Sequence, residues 1–229
     1  MVSGQKPTSS RSYEGIGECG MKVDKPKLQE QLLESETIGF LESKVEYKHK
    51  LFENIILDHQ EASKVSFENV VFRHVTISES TLEQFEFTDV RFEHCDFSNV
   101  NLSSAFMHRI EWRNCKFVGT DFSNSRLQNV SFLHGLGDYS NFRFAHLKQV
   151  SFSECSLIGA DFAYLALQKM EFNQCNIDQA SMTGTKMKDL DLSDCEFDSL
   201  ILTMEDLNGC VISPHQAATF VGLMGVVIK

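Results

Sequence analysis

Positive charge is scarce in this sequence. Its 229 residues include 21 Lys and Arg against 32 Asp and Glu, which gives a formal net charge of −11. A protein that binds nucleic acid needs a basic surface to neutralise the phosphates, so this balance argues against a nucleic-acid partner. We expect a partner with a basic surface instead.

Long apolar segments and paired cysteines are also lacking. The first 30 residues contain no apolar core of the kind that a secretory signal needs. The longest late apolar run, over residues 221–228, is too short to span a bilayer. The seven Cys are odd in number and include no CxxC pair, so reduced thiols are expected. The sequence therefore predicts a cytoplasmic protein with no membrane partner.

Apolar residues recur at every fifth position. From Phe52 to Ile212, 32 of the 33 positions at this spacing are apolar, and 14 of the 19 Phe lie on them. A second series, two residues earlier, carries mostly small side chains such as Val65, Ala105 and Cys155. A period of five fits neither a helix at 3.6 nor a strand at 2. It predicts a chain that turns a corner every five residues, so that four sides close a square coil of 20 residues and the coils stack like parallel strands.

Residues 95–99 (CDFSN), 120–124 (TDFSN) and 160–164 (ADFAY) resemble the A(D/N)LXX unit of the pentapeptide-repeat proteins. The resemblance extends over roughly residues 50–212. It implies an all-β fold, a right-handed quadrilateral parallel β-helix with a short C-terminal capping helix and strand. The expected domains are a disordered leader over residues 1–26, an N-terminal cap segment over 27–49, the β-helix over 50–212, and a C-terminal helix and strand over 213–229 that dimerise.

The 20-residue superperiod predicts which side chains stack. Five Cys are separated by multiples of 20 and should form one inward column of small apolar filler: Cys95, Cys115, Cys155, Cys175 and Cys195. A redox ladder or a metal site is the alternative, but parallel side chains in a line suit neither a disulfide nor a tetrahedral site. The pentad 135–139 (GLGDY) breaks the apolar series, and we expect a local bulge there with Leu136 turned inward.

Groups that indicate catalysis are missing. His74, His94 and His134 share one outward column, but other residue types interrupt it, which argues against a metal site. The sequence contains no Ser/His/Asp set, phosphate-binding loop or carboxylate pair in a concave setting, and a square rod has no cleft. We expect no enzyme activity, no catalytic residues, no cofactor and no metal.

The C-terminus reads as a short helix. The spacing of Ser213, Pro214 and Gln216 is typical of a capping box. We expect an apolar helix from Ala217 to Met224 after it, and then a strand over residues 226–228. One face of these elements can plug the last coil, and the surplus of apolar residues predicts a two-fold homodimer. The predicted dimer interface comprises Phe220, Val221, Leu223, Met224, Val226 and Ile228.

The negative charge is concentrated late in the chain. Residues 150–212 contain 11 acidic and 3 basic side chains, whereas residues 1–50 contain equal numbers of each. These roughly three coils span about 15 Å, and duplex DNA of that length carries about nine charges. Basic residues fall on another side of the coil: Arg109, Arg126, Lys148, Lys169, Lys186 and Lys188. The predicted partner-binding acidic face comprises Asp178, Asp189, Asp191, Asp194, Glu196 and Asp198.

The acidic rod and the helix after an SPxQA-like start resemble the Qnr- and MfpA-type branch of the pentapeptide-repeat proteins. This resemblance implies a homodimer that mimics B-form DNA, engages DNA gyrase or topoisomerase IV and protects the enzyme from quinolones. Many members of that branch carry projecting loops, and the unbroken register here leaves no room for one. Two alternatives stay open: an immunity protein against a topoisomerase-targeting peptide toxin, and an interaction scaffold unrelated to topoisomerases.

Overall fold

The computed structural model describes residues 21–223, in which strands recur every 20 residues. The strands are β1 (Glu34–Ser35), β2 (Glu46–Lys48), β3 (Lys50–Glu53), β4 (Ile56–Asp58), β5 (Glu61–Ser63), β6 (Ser66–Arg73), β7 (Thr76–Ser78), β8 (Thr81–Glu83), β9 (Glu86–Glu93), β10 (Phe106–Arg113), β11 (Arg126–Leu133), β12 (His146–Ser153) and β13 (Ala166–Asn173). A 3-10 turn covers Glu30–Leu32, and one helix, α1, covers Ala217–Leu223.

Each strand pairs in parallel with the strand one coil later. Leu127 lies between Met107 and Leu147, so the register advances by 20 residues. The main sheet has the order β1-β3-β6-β9-β10-β11-β12-β13, and β2 also pairs with β6. Elsewhere the coils join through β4–β7, β5–β8 and single bridges such as Asp96 to Lys116. The predicted all-β parallel solenoid with 20-residue coils is confirmed.

The coil has four sides, which we name by their residues in one turn. Side A holds residues 106–108, side B 111–113, side C 116–118 and side D 121–123, with their equivalents at 20-residue spacing. The long strands β6 and β9 to β13 run along side A and side B. Corner residues adopt a left-handed backbone, for example Asn114 at φ 51° and Asn124 at φ 57°. Asn tolerates this conformation better than most residues, which helps the chain turn after each pentad.

The inward phenylalanines form a continuous stack through the rod. Phe132 stacks on Phe152 with ring centroids 4.7 Å apart, and Phe142 stacks on Phe162 at 5.1 Å. All four rings are completely buried. Burying one such side chain contributes about 1.5–3 kcal/mol, so the five-residue apolar series supplies the core that holds the coils together.

The pentad 135–139 keeps the regular register. Leu136 bridges Lys116 below and Ser156 above, and its side chain is 47% exposed. The predictions of a bulge and of an inward Leu136 are therefore wrong. The inward position belongs to Gly137, and the ring of Phe117 occupies its space so closely that a Cβ on Gly137 would overlap the ring. The ring of Phe117, one coil earlier, thus fills the volume that a side chain at position 137 would occupy.

The cysteine column is an inward column of free thiols. All five members of the column are buried and none forms a disulfide: Cys95, Cys115, Cys155, Cys175 and Cys195. Burial raises the pKa of the Cys115 and Cys195 thiols above its ordinary value, so both stay protonated at neutral pH. The column thus packs as small apolar filler, as the sequence predicts.

Residues 21–30 form an N-terminal strap along the corner between side A and side B. The strap runs against the stacking direction, from the level of β13 back to β9. Backbone N–H groups of the strap donate to side chains of successive coils: Met21 to Glu171 at 2.5 Å, Asp24 to Asn129 at 3.2 Å and Lys27 to Asp89 at 2.8 Å. Residues 21–26 thus differ from the predicted disordered leader, since these bonds hold them on the rod. Residues 1–20 lie outside the described residues.

The segment after the strap joins the first coil. Strand β1 pairs with β3, and β2 pairs with β6. Leu41 is buried in the core, and its N–H donates to Gln60 Oε1 at 2.9 Å. Residues 34–48 therefore give the first strands of the solenoid a partner.

The C-terminal end is closed by Gln216. Its Oε1 accepts the Ser213 N–H at 2.9 Å, and its own N–H approaches Ser213 Oγ at 3.4 Å, which is the predicted capping box. The side-chain Nε2 also donates to the carbonyls of Leu192 at 2.7 Å and Cys195 at 2.8 Å. Gln216 thus caps the N-terminal end of α1, and it also satisfies backbone carbonyl groups of the last coils. The predicted strand over residues 226–228 lies outside the described residues.

Candidate protein-binding surface

The six carboxylates of the predicted acidic face lie close together at the C-terminal end of the rod, and we call them the acidic surface. Five of them are exposed and fall within ten residues of one coil, whereas the sixth, Asp178, is half-buried one coil earlier. In order around the coil they occupy the corner between sides A and B, side B, the next corner and side C: Asp189, Asp191, Asp194, Glu196 and Asp198. The structure therefore wraps this charge around two adjoining sides.

Asp178 has a structural task within the acidic surface. Its Oδ1 accepts the N–H of Asp198 at 3.0 Å and the N–H of Ser199 at 2.9 Å, and Gln179 Nε2 donates to Oδ2 at 3.2 Å. The backbone N–H of Ser199 is the main reason that the pKa of Asp178 lies below its usual value. Asp178 thus stays ionised and fixes the turn that carries Asp198.

Asp191 and Asp194 are also held by backbone donors. Asp191 Oδ1 accepts the Ser193 N–H at 2.9 Å, and Asp194 Oδ2 accepts the Gln174 N–H at 3.2 Å. Neutral N–H groups orient the carboxylates and leave their charge in place. The acidic surface is therefore ordered and anionic.

The acidic surface differs from the earlier coils in its ion pairing. On side B of the early coils, Arg73 pairs with Glu53 at 3.2 Å and with Glu93 at 2.9 Å, and Arg113 pairs with Glu111 at 2.8 Å. Over residues 21–223, no ion pair involves a carboxylate later in the chain than Asp161. Part of the early negative charge is therefore paired with basic side chains of the same or a neighbouring coil, whereas the late carboxylates have no such partner among residues 21–223.

The predicted basic side is less uniform than the sequence suggests. Arg126, Lys148, Lys186 and Lys188 lie on side A as expected. Arg109 lies at the corner, where its guanidinium pairs with the buried Asp89 at 2.5 Å. That pair is part of the corner under the strap, so Arg109 does not add free positive charge to side A.

The predicted dimer interface is only partly described. The ring of Phe220 is 7% exposed and packs against Phe197 with centroids 5.8 Å apart. Phe220 therefore plugs its own rod and is not available to a second copy, which corrects its assignment to the interface. Val221 is half-buried. The Leu223 side chain and residues Met224, Val226 and Ile228 lie outside the described part of the chain.

Among residues 21–223, no group of three or more His, Cys, Asp or Glu side chains is arranged to hold a metal ion. Over the same residues, no helix has the length and apolar character needed to cross a membrane.

Glu171 and the strap that contacts it were not predicted from the sequence. Glu171 precedes Asp191 by one coil on side B, and its Oε1 accepts the Met21 N–H. The 20-residue spacing of Glu171 and Asp191 is a signal that could have added Glu171 to the acidic side. Nothing in the sequence marks the backbone of Met21 as its partner.

Comparisons with known proteins agree with the repeat. A family model described as "Pentapeptide repeat region" matches residues 85–162 and 105–182, and one described as "Pentapeptide repeats (8 copies)" matches residues 66–103. The two models together span about half of the chain. None of the curated protein sequences matches it.

Solved structures of similar proteins share little sequence with this chain. Full-length QnrB1, a plasmid-mediated fluoroquinolone resistance protein, is 15% identical, with 77% of this chain and 100% of that chain covered and a TM-score of 0.35. HetL from Nostoc sp. strain PCC 7120, involved in heterocyst differentiation regulation, is 14% identical, with coverage of 76% and 86% and a TM-score of 0.34. Rfr23 from Cyanothece 51142 is 15% identical, with coverage of 58% and 64% and a TM-score of 0.17.

Proposed function

Because the chain belongs to the pentapeptide-repeat family, we propose that it is a DNA-mimicking binding protein that engages DNA gyrase or topoisomerase IV. In this proposal it has no enzyme activity, and it protects the topoisomerase from quinolones. The observation that carries the proposal is the acidic surface, which presents exposed carboxylates at one end of the rod with no ion-pair partner among residues 21–223. A protein surface that binds duplex DNA is basic and would accept such a rod.

The spacing of the charges supports mimicry of a duplex. Successive coils are one strand spacing apart, about 4.8 Å, and DNA carries about one charge per 1.7 Å of its axis. Five exposed carboxylates in one coil, with Glu171 and Asp178 one coil earlier, give the end of the rod a charge density of that order. Ion pairs such as Arg73 with Glu53 and Glu93 lower the free negative charge of the early coils, which favours attraction at the C-terminal end.

A homodimer through the C-terminal segment is part of the proposal. Two copies joined there would place their acidic surfaces side by side at the centre of a rod of double length. Val221 and the residues after it would form the contact, with Phe220 held inside each rod.

The dimer predicts the behaviour of one variant. Met224→Glu should sediment as a monomer at concentrations where the wild type sediments as a dimer, because a buried, unpaired carboxylate at an interface is strongly unfavourable. Ile56→Glu is the matched control, since Ile56 is 71% exposed in β4 at the opposite end of the rod, and this variant should remain dimeric. A wild-type protein that is monomeric at micromolar concentration in sedimentation velocity would refute the dimer.

The protective function is tested with purified gyrase. In a plasmid supercoiling assay at a quinolone concentration that halves the activity, added protein should restore supercoiling. Without the drug, a large excess of the protein should inhibit supercoiling, because it competes with DNA for the same basic surface. No effect in either arm, with both gyrase and topoisomerase IV, would favour a scaffold function for the rod.

A further inference from the structure

Strand β13 has an unpaired edge. Its partner in the next coil should be residues 186–193, which lie 20 residues further along, yet in the described chain these residues form no strand and no backbone hydrogen bond to β13. The segment bonds onward instead, with the Asp189 N–H donating to Gly209 O at 2.9 Å and the Leu192 N–H to Val211 O at 2.9 Å. Among residues 21–223, the interruption of the ladder leaves one edge of the eight-residue strand β13 without backbone partners.

Side chains close the two ends of this interruption. The Leu165 N–H donates to Thr185 Oγ1 at 2.9 Å, and the Gln174 N–H donates to Asp194 Oδ2 at 3.2 Å. Between these points the coils part to form a groove of about 850 Å³. Its apolar lining includes Leu167, Met170 and Leu190. We call this space the β13 groove.

Opposite charges line the two halves of the β13 groove. Lys186 and Lys188 lie on side A, Glu171 and Asp191 lie on side B, and Asp194 lies at the corner after side B. Lys169 and Asp189 occupy the same corner between the two sides, one coil apart. A free strand edge offers N–H and C=O groups to a second chain, and such edges bind extended peptides by strand addition. The charge pattern then favours a strand that is acidic at one end and basic at the other.

We propose that the β13 groove binds an extended peptide segment of a partner protein, which adds to β13 as a parallel strand. The parallel direction follows the other strand pairs of the sheet. An acidic residue near the start of the peptide meets Lys186 and Lys188, and a basic residue near its end meets Glu171 and Asp191. The groove shares Asp189, Asp191 and Asp194 with the acidic surface, but its peptide binding is measured without a topoisomerase, so either proposal can fail without the other.

Met21 lies at the groove, and the strap leads away from it toward β9. The described part of the chain therefore does not fill the space beside β13. The remaining candidate occupants, the chain's own residues 1–20 and a second copy, give different results in the test below.

The test uses the full-length protein and synthetic nine-residue peptides. Each peptide has a central Thr-Val repeat with two charged residues of one sign at its start and two of the opposite sign at its end. The peptide with Glu at its start and Lys at its end should bind in fluorescence polarisation and slow hydrogen exchange of β13 amides. Methylation of its central backbone nitrogens should weaken binding about tenfold or more, because the strand hydrogen bonds are lost and the side chains remain. Equal binding of the methylated peptide would refute strand addition.

Exchanging the charges of the groove supplies a second, independent readout. The double variant Lys188→Glu, Asp191→Lys should prefer the peptide with the reversed charge order, whereas the wild type prefers the original. An unchanged preference would overturn the proposed orientation. Binding that appears only after removal of residues 1–20 would assign the groove to the chain's own N-terminus, and a dimer that dissociates on adding peptide would assign it to a second copy. No binding by either form would also overturn the proposal.

Discussion

Replacing Gly137 with leucine should destabilise the protein, although leucine is the kind of residue that the five-residue pattern requires at this position. The ring of Phe117 already fills the space, and a Cβ on Gly137 would overlap it. The backbone of Gly137 is not left-handed, so the effect comes from packing alone. Overpacking a core typically costs about 1–3 kcal/mol, and an overlap this close should fall at the upper end, about 3 kcal/mol, which should lower the Tm by roughly 6–12 °C for a chain of this size. Thermal unfolding followed by circular dichroism measures the change.

A second substitution distinguishes overlap from other causes. Phe117→Leu alone should also destabilise, because it empties the space beside Gly137. The double variant Phe117→Leu, Gly137→Leu places one leucine in each of the two coils between Phe97 and Leu157, which restores a regular inward column. It should be more stable than the sum of the two single effects predicts. Additive effects, or a Gly137→Leu protein as stable as the wild type, would show that Phe117 does not fill the space of Gly137.

Gly137 illustrates what the periodicity could and could not predict. The five-residue series placed every position from Phe52 to Phe162 in the buried core, because a solenoid repeats its local environment and any shift would expose a whole column. Later positions such as Leu167 and Phe197 are only half-buried against that core. The series could not predict how the rod tolerates the one missing side chain. That answer depends on the rotamer of Phe117 in the neighbouring coil, which has no counterpart in the pattern. The same limit explains the mistaken inward Leu136.

The strap was beyond sequence reasoning for a different reason. Residues 21–30 have no apolar period, and most of their contacts use backbone N–H and C=O groups, which do not identify a residue type. The partners did carry a signal. Asp89 and Asn129 are almost fully buried polar residues at equivalent corners of two coils, and buried polar groups require hydrogen-bond partners. Only the structure shows that the strap supplies them.

The acidic surface was more accessible from the sequence. Once the coil length is 20 residues, the register alone places Asp191 on side B and Glu196 and Asp198 on side C. The pairing of early carboxylates is implied by the same register, since Glu53, Arg73 and Glu93 follow at intervals of 20. The engagement of Asp178 could not be foreseen, because it depends on the turn at Ser199.

Neutralising the acidic surface should therefore abolish most of the binding to the topoisomerase. The variant carries Asp191→Asn, Asp194→Asn, Glu196→Gln and Asp198→Asn, and its amide oxygens can still accept the backbone hydrogen bonds that orient Asp191 and Asp194. Exposed charge pairs contribute about 0.2–1 kcal/mol each, so four of them should cost about 2 kcal/mol, or roughly a thirtyfold increase in Kd. Surface plasmon resonance with immobilised gyrase measures the change, and the supercoiling assay should lose protection in parallel.

The control for this variant removes the same number of charges from the other end of the rod. Glu42, Glu61, Glu83 and Glu86 are exposed in the early coils, and changing all four to Gln alters the net charge equally. Binding by the control should match the wild type, because a long-range effect of net charge is screened within about 10 Å at 0.1 M salt. The salt dependence should also become weaker only for the first variant, since fewer of its charges meet the basic surface. If both variants lose binding equally, net charge drives the interaction. If both bind as tightly as the wild type, the acidic surface is not the binding site.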